Sequence, residues 1–323
     1  MKAILFDQPG GAEVLYYGSA PDPTPNTDEV LVRVHTTALN RADLLQRAGG
    51  YNPPPGASPI LGLELAGEVI TPLGDFQSGD RVMAVVTGGA YAELAAVPVG
   101  MLMRIPDALT YEQAAAIPEA FLTAHLNLFT LGHLKAGETV LIHAGASGVG
   151  TAAIQLARAV GAQVIATAGS PEKLARCVEL GAHEAINYKT ESFRERVQQI
   201  TGGRGADVIL DFVGAPYWND NLASLAVGGR LMLIGFLGGA AGQMNLGAIL
   251  PKSLTISGTT LRRTPLDQKI ALTQEFAAFG LPKIANGELV PVIDRTFPVE
   301  QAADAHRYMA SNANVGKIIL TVR

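Results

Sequence analysis

The stretch from Thr139 to Ser170, TVLIHAGASGVGTAAIQLARAVGAQVIATAGS, constrains this chain more than any other. Thr139-Val140-Leu141-Ile142-His143-Ala144 is a short apolar run rich in β-branched residues, the pattern of a buried parallel strand. A loop of small residues follows, Gly145-Ala146-Ser147-Gly148-Val149-Gly150. Ala152, Ile154, Leu156, Ala157 and Val160 then mark a helix, and Gly161 is placed to end it in a left-handed cap. Val164-Ile165-Ala166-Thr167-Ala168 predicts a second strand. A strand–loop–helix–strand unit of about 30 residues has the size of a dinucleotide-binding βαβ element.

The loop chemistry agrees with that reading. Small residues let the backbone turn tightly and let a pyrophosphate approach the first-turn N–H groups of Ser147, Gly148, Val149 and Gly150, where the helix dipole favours an anion. The G-x-G-x-x-G pattern is met in part: Gly145 and Gly150 hold its outer positions, and Ser147 replaces the middle glycine. A glycine-rich turn alone occurs in many α/β proteins. Its position between a strand and a helix is what points to a cofactor. An NAD-selective site places Asp or Glu at the end of the second strand. Here that position reads Ala168-Gly169-Ser170, without an acid. Ser170 suits the N-cap of the next helix, Pro171 its first position and Gly181 its far end. Lys173 then sits in the first turn, where the dipole disfavours a cation unless an anion joins it. The expected cofactor is NADPH, with Ser170, Lys173 and Tyr188 on its 2′-phosphate; the alternative for Lys173 is a solvated surface lysine.

At 323 residues the chain should hold about two domains. With 48% hydrophobic and 16% charged residues it reads as globular, not disordered. The net charge of −5 is spread without long runs, so neither a nucleic-acid stripe nor a membrane-surface helix is expected. The single cysteine, Cys177, excludes an intrachain disulfide and is expected to be buried and inert. The start Met1-Lys2-Ala3-Ile4-Leu5-Phe6-Asp7 lacks a signal-peptide pattern, and no apolar run is long enough to cross a bilayer. A soluble cytoplasmic protein is the default expectation.

Residues 1–120 carry short strand patterns punctuated by Pro and Gly, as in a small barrel. Strands are predicted over 2–6, 30–39, 64–70 and 80–86, a short helix over 41–48, and a stiff exposed loop at Tyr51-Asn52-Pro53-Pro54-Pro55-Gly56. Helices are expected at 112–116 and 119–130. Strands at 139–144, 164–168, 184–188, 207–213, 230–236 and 254–259, separated by helices, predict a doubly wound parallel sheet. Helices near 266–287 and 299–310 and strands at 290–297 and 317–322 follow, and the strands could rejoin the first domain. The expected plan is a discontinuous outer domain, 1–120 with 261–323, around a dinucleotide domain at 121–260, with the site in a cleft between them.

Ala38-Leu39-Asn40-Arg41-Ala42-Asp43, the Tyr51–Gly56 loop, Leu61-Gly62-Leu63-Glu64-Leu65-Ala66-Gly67, Ala115-Ala116-Ile117-Pro118-Glu119-Ala120, the segment His143 to Leu156, Asn187-Tyr188-Lys189 and Gly316-Lys317-Ile318-Ile319-Leu320 complete the pattern. With them, the whole chain resembles the medium-chain dehydrogenase/reductase family. It looks most like the zinc-free quinone oxidoreductase branch, nearest the tumour-suppressor-inducible subgroup. The resemblance implies a GroES-like β-barrel domain wrapped around a Rossmann domain. The family's alcohol dehydrogenases bind zinc through a Cys near the Asn40 position, a Gly-His-Glu and a later Cys. Here Asn40, Leu63 and Pro118-Glu119-Ala120-Phe121 supply neither thiolate nor imidazole, so that zinc site cannot form. Glu64 is then read as structural, and His143 as a satisfied core histidine.

Without a metal, an already electrophilic acceptor such as a quinone or activated enone is expected. The nicotinamide carries the redox chemistry and the protein supplies orientation and polarity. A donor aimed at the developing oxyanion can contribute ~10²–10³ in rate. Tyr51 is the first candidate, Asn40 the second and Asp43 a weaker one through a hydrogen-bond network. Tyr51 packing on the ring and Asn40 capping the following helix are the structural alternatives. The resemblance places Thr123, Ser147, Phe236, Leu237, Thr259 and Leu261 around the nicotinamide and ribose, and Lys317 at a basic position that could equally be surface. Other readings are an enoyl-thioester reductase, an enone or alkenal reductase, and a crystallin-like or RNA-binding role. The first would need a basic entrance, for which Arg262 and Arg263 are a possible fragment and otherwise a solvated turn. Leu254 to Leu261 could pair edge to edge with a second copy, giving a homodimer or homotetramer.

Overall fold

A computed structural model describes residues 1–323. The chain divides into two compact units, Met1–Leu122 with Leu261–Arg323, and Thr123–Thr260. The first is built on the strand Glu29–Ala38, in which Val30, Val32 and Val34 alternate into the core while their neighbours are partly exposed. Antiparallel partners flank it: Glu64–Val69, Leu94–Pro98 and Lys317–Thr321. Lys317–Thr321 also pairs in parallel with Ile293–Pro298, so the C-terminal segment completes a sheet begun nearly 300 residues earlier. The helix Arg41–Arg47 leaves the end of Glu29–Ala38 through Asn40.

The second unit is a six-stranded sheet, entirely parallel. Its strands lie in the order Glu184–Asn187, Gln163–Ala168, Thr139–Ile142, Ala206–Asp211, Leu225–Leu233, Thr255–Gly258. Order therefore reverses between Thr139–Ile142 and Ala206–Asp211, the topological switch point of a Rossmann sheet, outside whose carboxyl ends ligands bind. Leu141, Ile165, Ile186, Ile209 and Leu231 form its core with Trp218. The glycine loop works as its composition requires. A Cβ at Gly150 would run into the carbonyl oxygens of Ala144 and Gly145, so only glycine lets the helix Gly148–Ala159 pack this close to the strand before it.

The strands Tyr16–Ser19 and Leu94–Pro98 were not expected from the sequence, and two predicted elements change their bounds or type. The strand predicted at 230–236 begins at Leu225 and ends at Leu233, because Gly228 takes a left-handed φ of 74° within it and hides the alternation. The single helix expected over 119–130 is α-helical only over Pro118–His125 and continues as a π-helical turn, Leu126–Thr130, in which Leu131 N–H bonds Leu126 O.

Candidate active site

A buried polar cluster lies in the first unit where Glu29–Ala38 hands over to Arg41–Arg47. Lys317 Nζ pairs with Glu64 Oε1 at 2.6 Å and donates to Leu39 O at 2.8 Å and Asn40 Oδ1 at 2.7 Å. Asn40 Nδ2 donates to the same Glu64 oxygen at 2.9 Å, and Glu64 Oε2 accepts Glu119 N–H at 2.8 Å. Asp43 accepts from Asn40 N–H at 2.7 Å and Gly62 N–H at 3.1 Å, with Tyr91 Oη at 3.4 Å. Asp43 and Glu64 are wholly buried and Lys317 is 4% exposed. Burial pushes the Asp43 carboxyl up to about 6, against the pull of the two N–H donors and Lys317.

This arrangement corrects one expectation. Lys317 is not a surface residue, since it is buried and its ammonium is spent on Glu64, Asn40 and Leu39. Asn40 and Asp43 hold the strand–helix junction and the Gly62 loop, and together form the capping box of Arg41–Arg47. Tyr51 is different: its half-buried ring lies 5.2 Å from the guanidinium of Arg262 in a cation–π contact. Glu119 was not expected here. Burial, reinforced by the Glu64 charge, pushes its carboxyl up to about 8.

In the second unit, Ser147 caps the helix Gly148–Ala159, its Oγ accepting Gly150 N–H at 3.0 Å. The N–H groups of Gly148 and Val149 open that helix without intrahelical partners. Ser170 caps Pro171–Glu179 by accepting Lys173 N–H at 3.4 Å, and no acid ends the strand Gln163–Ala168. Tyr188 lies against this turn, because a Cβ at Gly169 would come 2.5 Å from its Oη. Gly169, Ser170, Lys173 and Tyr188 are thus brought to one strand end. Thr259 Oγ1 donates to Asn127 Oδ1 at 2.9 Å, and Asn127 Nδ2 donates to Thr123 O at 2.9 Å. Phe236 and Leu237 leave the end of Leu225–Leu233 more than half exposed, at 57% and 56%. Leu261 is buried in the first unit.

Sequence reading missed Asn127 and Asp211. The signal for Asn127 was a lone amide in the apolar run Leu126-Asn127-Leu128, now wholly buried in the π-helical turn. Asp211 accepts from Val213 N–H at 2.6 Å and Asn221 Nδ2 at 3.0 Å, and burial pushes it up to about 6. With its amide turned to Asp211, Asn221 presents its carbonyl to His143 Nε2 at 2.7 Å, so that nitrogen carries the proton. Thr167 Oγ1 meets Nδ1 at 3.1 Å, and burial pushes His143 down to about 4, leaving a neutral core histidine.

Both units match known sequence families. Residues 26–107 match the alcohol dehydrogenase GroES-like domain, and residues 148–277 match the zinc-binding dehydrogenase domain. Quinone oxidoreductase from Pseudomonas aeruginosa is 38% identical, with 99% of each chain covered. The structure of Escherichia coli quinone oxidoreductase complexed with NADPH superposes with a TM-score of 0.88 at 31% identity, covering 99% of this chain and 100% of that one. A structure described as an NAD-dependent alcohol dehydrogenase superposes with a TM-score of 0.89 at 33% identity, with 100% of both chains covered. The chain therefore belongs to the medium-chain dehydrogenase/reductase family. Within that family its full-length relatives include the quinone oxidoreductases.

The Glu119 carboxyl gives a pH signature. Held near 8 against an ordinary 4.5, it keeps its proton in the folded state over a range where the unfolded chain has lost it. Stability should therefore fall as pH rises from 4.5 to 8. Glu119→Gln removes that loss, so in urea titrations the variant should gain on the parent steadily across this window. A constant difference would mean that the carboxyl ionises near its ordinary pH.

Proposed function

We propose that this chain is an NADPH-dependent quinone reductase that works without zinc. The observation that carries the reading is the full-length likeness to quinone oxidoreductases at 38% identity. The residues fit the cofactor. The free N–H groups of Gly148 and Val149 and the Ser147 cap would receive its pyrophosphate. Ser170, Lys173 and Tyr188 would hold the 2′-phosphate where an NAD site needs an acid. Thr123, fixed through Asn127 to Thr259, and the exposed Phe236 and Leu237 would border the nicotinamide and ribose. When bound, NADPH supplies the reducing equivalents.

The protein's own contribution is orientation and polarity. The Tyr51 phenol would donate to the acceptor carbonyl, and the Arg262 cation against its ring favours negative charge nearby. A zinc site is opposed by the donor set. Asn40 and Leu63 replace its thiolate and imidazole positions, and Lys317, Asn40 and Glu119 N–H occupy both Glu64 oxygens. No three His, Cys, Asp or Glu side chains converge as metal ligands. An ammonium supplies the positive charge that the buried carboxylate needs.

The chain would associate through the edge strand Thr255–Gly258, near which Val227, Leu246 and Leu250 are 78%, 62% and 87% exposed. No helix is long and apolar enough to cross a membrane. Light scattering should give at least twice the chain mass of 33.7 kDa, and a monomeric mass would refute the edge pairing.

The reaction is tested by anaerobic NADPH oxidation against an ortho-quinone, a para-quinone and a medium-chain enoyl-CoA, with NADH in parallel. Quinone turnover with NADPH preferred is expected. Lys173→Ala should weaken NADPH by roughly 10- to 150-fold and leave NADH nearly unchanged, as loss of a hydrogen bond to a charged group of ~1.5–3 kcal/mol implies. Turnover of the enoyl-CoA alone would make the chain a thioester reductase. Tyr51→Phe should lower kcat with little change in acceptor binding; an unchanged kcat leaves Tyr51 a packing role.

A further inference from the structure

Two cations in the first unit have no acid to answer them. Arg262 is 4% exposed, its Nε donates to Thr87 O at 2.8 Å, and both terminal guanidinium nitrogens are buried without a hydrogen-bond partner. Lys269, 5% exposed, sits on the helix Leu266–Ala285 with neither an ion pair nor a hydrogen bond on its ammonium. Burial depresses the pKa of both, and the Arg262 charge lowers that of Lys269 further. Glu119 is the acid that both feel, yet it bonds neither, and it is the group held protonated up to about 8. A buried guanidinium fork left open is costly, and proteins pair such groups when nothing else is to be bound there.

Lys269 lines a cavity of about 510 Å³ with Met101, Leu266, Thr87 and the loop Pro54 to Ser58. Thr87 joins that cavity to Arg262, since its carbonyl takes the Nε proton. Tyr51, a few residues before the cavity-lining prolines, covers the guanidinium face. The open donors are therefore a point charge on the cavity wall and a planar fork bonded to the back of its Thr87 lining, together the donor set that matches a planar anion with two oxygens. A solvated turn, the alternative for Arg262 and Arg263, holds for the exposed Arg263 alone.

We propose that Arg262 and Lys269 form an anion-recognition subsite that takes a carboxylate carried by the acceptor. Assigning the ligand as acceptor rests on the quinone reductase reading; the carboxylate chemistry does not. Arg262 supplies two parallel N–H donors, Lys269 neutralises the charge, and protonated Glu119 adds an O–H donor without repulsion.

The test compares 3-(1,4-naphthoquinon-2-yl)propanoate with the matching propanamide, two quinones of like ring chemistry that differ in charge. The intact protein should show a KM for the propanoate at least about tenfold lower. Arg262→Met and Lys269→Met should each shrink that ratio, and the double variant should bring it to one. Arg262→Lys, which keeps the charge and loses the fork, gives an intermediate ratio and covers the case of a poorly folding Arg262→Met. In parallel, calorimetry on the NADPH-free protein compares 2-naphthoate with 2-naphthamide. Naphthoate binding that depends on Arg262, with no quinone turned over, would sustain the subsite and refute the quinone reading. Turnover of both quinones with a ratio of one, or a ratio that survives both substitutions, overturns the subsite and leaves the quinone reading intact.

Discussion

The first unit depends on the contact between Lys317 and Glu64. Glu64 is wholly buried on a central strand, and a carboxylate there is tolerable only with a cation and further hydrogen bonds. Lys317 brings the cation from the C-terminal strand, and its other two protons fix Leu39 O and Asn40 Oδ1. Asn40 in turn sets the start of Arg41–Arg47, and through its N–H the place of Asp43, which holds Gly62. One ion pair thus ties the sheet, the helix start, the Gly62 loop and the Glu119 turn together. Removing one partner would strand a buried charge, at a cost of about 3–5 kcal/mol.

The same contact gives physical content to the loss of the metal ligands. The cation at this cluster is the Lys317 ammonium. It is covalently part of the chain, with a geometry that closes on hydrogen bonds and leaves no open coordination position. In the reaction we propose, polarisation of the acceptor would then come from elsewhere. Arg262, whose two terminal nitrogens are buried without a hydrogen-bond partner, lies against the Tyr51 ring in this unit.

What could be read from sequence was what is local. The strand from Thr139, the loop around Ser147 and Gly150, and the caps Ser170-Pro171 and Gly161 follow from periodicity and turn chemistry within a few residues. Lys317 could not be placed because its partners Leu39 and Asn40 lie 278 and 277 positions away, and nothing in Gly316-Lys317-Ile318 distinguishes a buried lysine from an edge one. Arg262 and Arg263 read as one exposed pair, yet the short helical turn Leu261–Arg263 sends the first inward and the second out. The hydrogen bonds of Asn40 and Asp43 to Glu64, Lys317 and Gly62 were not legible either, since sequence shows a polar residue but not what it has already bonded.

We propose a quinone reductase that needs no metal and whose buried cation is Lys317. The most direct measurement is quinone-dependent NADPH oxidation on protein whose metal content is determined before and after exhaustive dialysis against a strong chelator. Turnover that is unchanged at well below one metal ion per ten chains is the predicted result. Turnover that disappears on chelation and returns with added zinc would contradict it.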